Sequence, residues 1–226
     1  VGHLRGRTLR ASRLGGAVVT GEPQVDEILD AIEDGEGVVV GQTFTDKEVS
    51  GAAFGHAEFE DVTFTRCTLD GINVQRASFT DCSFVGCDLT GADLRTSYWK
   101  GCTLTDCRLV GTDMAKSYLQ SVRFLASNLG FLNLAESKLE RVSFRDCDLH
   151  EASLSQLRLK RLELTRCNLT RAELFLTRLS GIDLSGNNLA GIRLSDRFSE
   201  LSGARIEADQ AIDLVGLLGV KVVEDE

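Results

Sequence analysis

Proline is almost missing from this chain: Pro23 is the only one in 226 residues. A proline inside a strand flanked on both sides removes a ladder donor, so its absence beyond residue 23 permits long, continuous strand stacking. Histidine is scarce too. His3, His56 and His150 are dispersed with no HExxH pair, no serine sits in a GxSxG elbow, and no Walker A or GxGxxG loop is present. Nothing therefore assembles an acid, a base and a nucleophile, and no phosphate cradle is in view. No apolar run approaches the ~18 residues of a membrane helix, and Ala17-Val18-Val19 is too short for a signal-peptide core. These absences predict a folded cytoplasmic protein with no membrane contact, no catalytic residues, no metal and no cofactor. The first residue is Val1 and the only methionine is Met114, so a non-standard start codon or a trimmed beginning is expected.

What the chain does contain is a period. Every fifth residue from Phe44 to Leu194 is apolar, 31 positions made of 19 Leu, eight Phe, two Val, Trp99 and Met114. At the overall hydrophobic frequency of 42%, chance would produce such a run with a probability of about 10⁻¹². Two residues earlier in each unit, from Ala52 to Ile182, stands Ala, Cys, Ser, Thr, Val, Ile or Leu. Residues two apart on an extended segment share a face, so both point inward and the one between points to solvent. A period of five then implies a short extended segment followed by a corner.

The number of corners per coil follows from which residues repeat above one another. Phe44, Phe64, Phe84, Phe124 and Phe144 recur at multiples of 20, as do Cys67, Cys87, Cys107, Cys147 and Cys167, and Gly51, Gly71, Gly91, Gly111 and Gly191. Four pentads therefore close one coil, and 31 pentads make nearly eight. The glycine column falls at a corner, where positive φ is wanted. All seven cysteines take the inward position two before a central residue, as small filler. Parallel side chains in such a column suit a disulfide poorly, and with no CxxC a metal role is not indicated.

A parallel solenoid needs a cover at each end. Residues 1–20 read as a disordered basic tail, and 21–43 as an N-terminal cap. In that cap Val25, Ile28, Leu29 and Ile32 form an amphipathic helix, and Val38-Val39-Val40 an entering strand. Residues 44–195 are the solenoid. Residues 196–226 hold a C-terminal helix at 207–218, stopped by Gly219, and a short terminal strand through Val220, Val222 and Val223. The helix has apolar residues over more arc than one docking face requires. Its Ala211, Leu214, Val215, Leu217 and Leu218 are the candidate dimerisation residues.

The stretch Cys87-Asp88-Leu89-Thr90-Gly91-Ala92-Asp93-Leu94-Arg95-Thr96 resembles the A(D/N)LXX unit of pentapeptide-repeat proteins. The resemblance implies an all-β fold, a right-handed quadrilateral parallel β-helix with short helical caps. The segment from Leu201 to Val220 is similar to the C-terminus of the MfpA- and Qnr-like, fluoroquinolone-resistance branch of that family. Members of this branch dimerise through the C-terminal helix, and their rod mimics B-form DNA on DNA gyrase. The resemblance thus implies a non-enzymatic homodimer that binds a type II topoisomerase, gyrase or topoisomerase IV, and protects it from fluoroquinolones or natural poisons. It implies no direct contact with nucleic acid.

Charge qualifies that implication. Of the net -9, residues 1–43 carry -3 and 196–226 carry -5, while 44–195 hold 19 acids and 18 bases. The rod is nearly neutral but polarised. Outward acids, the candidate partner-binding surface, concentrate early at Glu58, Glu60, Asp61, Asp70, Asp81, Asp88, Asp93 and Asp113, with Asp148 later. Bases gather late on one face, at Lys138, Arg141, Arg158, Lys160, Arg161 and Arg178. Tyr98 and Tyr118 are outward and one coil apart, so their rings should stack. Phe131, Phe175 and Leu176 are apolar at positions expected to face out, through corner packing or as a contact patch. A scaffolding solenoid that binds an unrelated protein is the alternative function.

Overall fold

The structure, a computed structural model, describes residues 26–34, 36–217, 219–221 and 223. The basic tail expected at 1–20, Val25 of the first helix, Leu218 and Val222 lie outside the described residues.

The chain winds as a four-sided parallel β-solenoid. β1 (Val38–Val40) and β2 (Thr43–Thr45) lie on adjoining faces. The alternation repeats in β3 (Glu58–Glu60) and β4 (Thr63–Thr65), β5 (Ser78–Thr80) and β6 (Ser83–Val85), and β7 (Tyr98–Lys100) and β8 (Thr103–Thr105). It continues in β9 (Tyr118–Gln120) and β10 (Arg123–Leu125). In the next two coils the corner joins the strands into β11 (Lys138–Arg145) and β12 (Arg158–Thr165). Each strand pairs in parallel with the one 20 residues away, as in Phe44↔Phe64 and Phe124↔Phe144. The third and fourth faces are too short for strands and are held by single bridges, from Glu48↔Thr68 to Asn168↔Asn188 and from Ala53↔Asn73 to Glu173↔Arg193.

The period of 20 is thus the coil. The strand ladders run from Val38 to Arg158, 120 residues and so six turns, fewer than the nearly eight counted from the apolar period. The remaining pentads keep the inward pattern but leave strand geometry. Leu179 N–H goes to Glu200 O and Gly181 N–H to Gly203 O, and the next bridge, Asp183↔Arg205, spans 22 residues instead of 20. The extra two residues are taken up by the 3-10 turn Ser199–Leu201.

The core is a column of central residues, nearly all buried. In the early coils it is aromatic: Phe59, Phe79 and Trp99 stack at 5.1 and 4.1 Å, and Phe44, Phe64 and Phe84 at 5.5 and 4.7 Å. Beyond, it is mostly leucine, apart from the Phe124–Phe144 stack at 4.7 Å.

The position two before each central residue has a job beyond filling space. The thiols of Cys67, Cys82, Cys87, Cys102, Cys107 and Cys167 each point at the carbonyl 23 residues back, at 3.3 to 3.5 Å. Thr112, Ser117, Ser137 and Thr177 donate to the equivalent carbonyl at 2.6 to 3.1 Å. A small side chain with a weak or strong donor fits here because the carbonyl of the central residue one coil back lies within the core and has a second lone pair open to it, as at Leu89 and Leu94, whose carbonyls also accept the Ala92 and Ser97 amides. All seven cysteines are free.

The corners are more demanding than the glycine column suggests. Glycine takes positive φ at 51, 71, 91, 111 and 191, but so do Asp61, Arg76, Thr96, Lys116, Phe131 and Leu176 at the same step of other pentads. Every coil turns through left-handed residues on all four corners, and most are not glycine.

Helix α1 (Asp26–Asp34) covers the N-terminal end, with Ile28 and Ile32 buried and Leu29 packed against the core. Helix α2 (Ala208–Leu217) lies at the other end. Among the described residues 219–221 and 223 there is no strand, so the expected terminal strand is not formed there.

Candidate interaction surfaces

The acids of the A(D/N)LXX units serve the fold first. Asp88, Asp93, Asp113 and Asp148 accept from the N–H two residues on, at 2.9, 3.3, 3.0 and 3.2 Å, and Asn128, Asn133 and Asn168 do the same at 3.0 to 3.1 Å. This short carboxylate or amide loop closes the turn at these positions of the third and fourth faces, so Asp and Asn are interchangeable there. Asp93 is further committed: Arg95 grips it at 2.9 and 2.7 Å and Gln75 donates at 2.7 Å. The guanidinium beside it holds its pKa below the ordinary value, against the upward push of burial. Asp113 accepts from Asn133 at 3.0 Å and Asp148 from Asn168 at 2.8 Å. Asp70 accepts a short hydrogen bond from Ser50.

The remaining candidate acids differ. Glu58, Glu60, Asp61 and Asp81 are exposed and carry no ion pair among the described residues. They share the first face and its following corner in the early coils. Hence the nine candidate acids divide into five engaged on the third and fourth faces and four free on or beside the first.

The late half of that first face is basic, as expected, with Lys138, Arg158, Lys160 and Arg178 on it and Arg141 and Arg161 at its corner, all exposed. One carboxylate organises it. Glu140, 7% exposed, accepts from Lys160 Nζ at 2.9 Å, Arg141 at 2.8 Å and the Tyr118 hydroxyl at 2.9 Å. The Lys160 ammonium first, and the Tyr118 hydroxyl next, pull its pKa down to about 2. Lys138 Nζ lies 4.3 Å over the Tyr118 ring. Tyr98 meets Tyr118 edge to face at 5.6 Å instead of stacking flat, the arrangement that ring quadrupoles favour.

Of the outward apolar residues, Phe131 packs edge-on against His150 at 4.8 Å. Phe131 is nevertheless half exposed, and Phe175 and Leu176 are exposed as well, Leu176 at 67%. Leu176 borders a cleft of about 500 Å³ with Glu136, Gln156, Leu157, Arg158, Leu159 and Arg178. The cleft marks the place where β12 has no following strand, and it leaves Leu159 only half-buried.

The C-terminal end holds the functional polar residues that the repeat does not announce. Glu200, 1% exposed, accepts from Leu176 N–H at 2.9 Å, Ser195 N–H at 3.3 Å and the Ser195 hydroxyl at 2.9 Å. Burial pushes its pKa up, and these hydrogen bonds outweigh it, so the carboxyl titrates below its ordinary value. Gln210 donates to Leu184 O at 2.9 Å and Asn187 O at 2.7 Å and accepts from Glu207 N–H at 2.8 Å. Both supply partners that a further coil would otherwise provide. Only their place after the last pentad could have flagged them.

Of the candidate dimerisation residues, Leu214 packs against the core and Ala211 and Val215 are half-buried, whereas Leu217 is exposed. Ile212, 52% exposed, shares the open side. Among the described residues no group of three or more His, Cys, Asp or Glu could hold a metal, and no helix is long and apolar enough to cross a membrane.

Comparison with known proteins agrees with this architecture. A model of the pentapeptide repeat region matches residues 77–154 and 97–174, and a model of eight pentapeptide repeats matches 57–95. No curated protein gives a significant sequence match. Among solved structures, a pentapeptide repeat protein of the Arabidopsis thaliana thylakoid lumen is 24% identical over 42% of this chain and 66% of its own, with a TM-score of 0.41. Trypsin-treated QnrB1, a plasmid-mediated fluoroquinolone resistance protein, is 21% identical over 83% of this chain and 97% of its own, with a TM-score of 0.34. HetL, involved in heterocyst differentiation regulation in the cyanobacterium Nostoc, is 21% identical over 80% and 93%, with a TM-score of 0.31. With the fivefold period, the four-sided coil and the repeat models in register with one another, the chain belongs to the pentapeptide-repeat family.

Proposed function

We propose that this protein is a non-enzymatic binding protein whose rod docks on the DNA-binding surface of a type II topoisomerase, DNA gyrase in the first instance, and protects it from fluoroquinolones or natural poisons. The observation that carries the reading is the first face, a continuous parallel ladder from β1 to β12 with Glu58, Glu60, Asp61 and Asp81 exposed and unpaired at its early end. Free carboxylates on a rigid ladder can meet a basic, DNA-binding groove without reorganising.

Magnitude limits how the mimicry works. Six turns at ~4.8 Å make a rod about 29 Å long, over which B-DNA presents roughly 17 charges. The residues that carry those ladders, 38–165, hold 17 acids against 14 bases, a net charge of -3. Recognition must therefore rest on rod shape and the local acidic end, not on overall charge density. The second reading, a scaffold for an unrelated protein, is favoured by the exposed Phe175 and Leu176 beside the cleft.

A gyrase supercoiling assay with ciprofloxacin separates the two. The topoisomerase reading expects inhibition of supercoiling or rescue from the drug, and Glu58→Lys/Glu60→Lys should weaken it by ten-fold or more. Neither effect across a wide concentration range would overturn that reading.

A further inference from the structure

The first face and its two corners form a charge pattern that is its own complement when reversed end to end. Outward along the face, the first column reads Val38, Glu58, Ser78, Tyr98, Tyr118, Lys138, Arg158, Arg178, and the second Val40, Glu60, Thr80, Lys100, Gln120, Glu140, Lys160, Ser180. The parallel pairing keeps each column in register from Val38 to Arg158. We infer that this face is a docking surface for a second copy of the chain, laid antiparallel about a two-fold axis that crosses the rod between the Tyr98 and Tyr118 rows.

A two-fold axis in the plane of contact and perpendicular to the rod keeps each column against itself and reverses the order of rows. Glu58 then faces the partner's Arg158, and Glu60 the partner's Lys160. Along the following corner, Asp61 faces the partner's Arg161 and Asp81 the partner's Arg141. Along the preceding corner, Arg76 faces the partner's Glu136. The two tyrosine rows meet at the axis. No two like charges oppose one another anywhere in this register. A shift of one coil sets Glu60 against Glu140 or leaves Glu60 facing Ser180, so a single register is selected. Closed two-fold contacts of this kind are isologous: each pair occurs twice.

The acids are free in one chain, and the bases opposite them are exposed. Lys160 and Arg141 share Glu140, and Arg161 holds Glu163 at 3.0 Å, but each of the three retains outward donors. The contact is small. A ladder about 29 Å long and ~13 Å wide covers roughly 400 Å² per partner, half of what a standard stable interface buries. The association is accordingly weak, in the micromolar range or above, and held by charge. It would weaken sharply as the Debye length falls from about 10 Å at 0.1 M salt toward 3 Å at 1 M.

This dimer covers the acids that the proposed topoisomerase contact uses, so it is the dissociated single chain that would dock there, and sedimentation equilibrium of the full chain tests the dimer independently of any topoisomerase assay. At about 100 μM protein the mass should double in low salt and fall to that of one chain at about 0.5 M salt, where screening is strong. The variant Glu58→Lys/Glu60→Lys and the variant Arg158→Glu/Lys160→Glu should each stay single, with dissociation constants raised at least ten-fold. Mixed in equal amounts they should form a one-to-one complex, because each then carries one sign at both ends of the face. Asp61→Arg/Asp81→Arg repeats the first arm without touching the Glu140 network, and circular dichroism confirms folding. A wild type that stays single in low salt, or variants that fail to associate on mixing, would overturn the inference. So would a dimer that resists salt and both charge variants but falls apart with Ile212→Glu/Leu217→Glu, which would place the contact on α2.

Discussion

The early and late halves of the rod obey one repeat and solve different problems. From β3 to β8 the core is mostly stacked Phe and Trp, each strand has neighbours on both sides, and the thiols meet the carbonyls of central residues one coil back by repetition. After β12 there is no following strand, and the chain finishes its hydrogen bonds with particular side chains, Glu200 and Gln210. The difference teaches where stability is shared and where it is local. In the body, a lost contact is buffered by identical coils above and below, whereas at the end each polar partner is unique.

The largest way to break this contrast is in the body. Trp99 is fully buried, stacked on Phe79 at 4.1 Å, with its indole N–H on the Ser97 hydroxyl at 2.8 Å. Trp99→Ala should cost about 3–5 kcal/mol in urea unfolding, because leucines beyond cannot refill the space. If it costs under 1 kcal/mol, the aromatic stack is not what stiffens the early coils.

At the end, Glu200→Ala should cost about 2–3 kcal/mol, since it strips partners from the Leu176 and Ser195 amides and from a buried hydroxyl. Hydrogen exchange should quicken at those amides and leave Phe64 and Phe84 unchanged. The sign with pH follows from the lowered pKa: the stabilisation is complete above the ordinary carboxylate range and is lost as pH falls through the folded value. Wild type should lose protection in the last coil on acidification, and Glu200→Gln should lack that step. Gln210→Ala, which frees the Leu184 and Asn187 carbonyls, should cost less, about 1–2 kcal/mol.

The body was far more legible than the end because repetition writes the same physical demand many times. The central Phe and Leu, the small position before them and the coil of 20 could all be read from spacing. The use of that small position as a donor to the carbonyl 23 residues back could not, since Ala and Val occupy it as well. The acids at Asp88, Asp93, Asp113 and Asp148 looked like surface charge, and the structure turns them into turn closures. Their exchange with Asn at 128, 133 and 168 was the available sign that shape, not charge, is required there. Glu200 and Gln210 occur once each and leave no pattern to read.

The smallest prediction sharpens the same contrast at the corners, where repetition imposes a cost as well as a benefit. Thr96 sits at φ 58° although β-branched residues strongly resist the left-handed region. Its exposed hydroxyl reaches only the neighbouring Arg95 carbonyl, at 2.6 Å. Glycine stands at the equivalent step at 91 and 101 with φ of 64° and 70°. Thr96→Gly should therefore stabilise the rod by about 1 kcal/mol, the relief of left-handed strain exceeding the added freedom of the unfolded chain. Gly91→Ala should move stability the other way by a similar amount, although a Cβ there meets nothing within 4 Å. Opposite signs from two exposed corners, read in urea unfolding, would show that backbone conformation and not contact governs these positions. Equal signs would mean that the solenoid holds its corners open by packing alone.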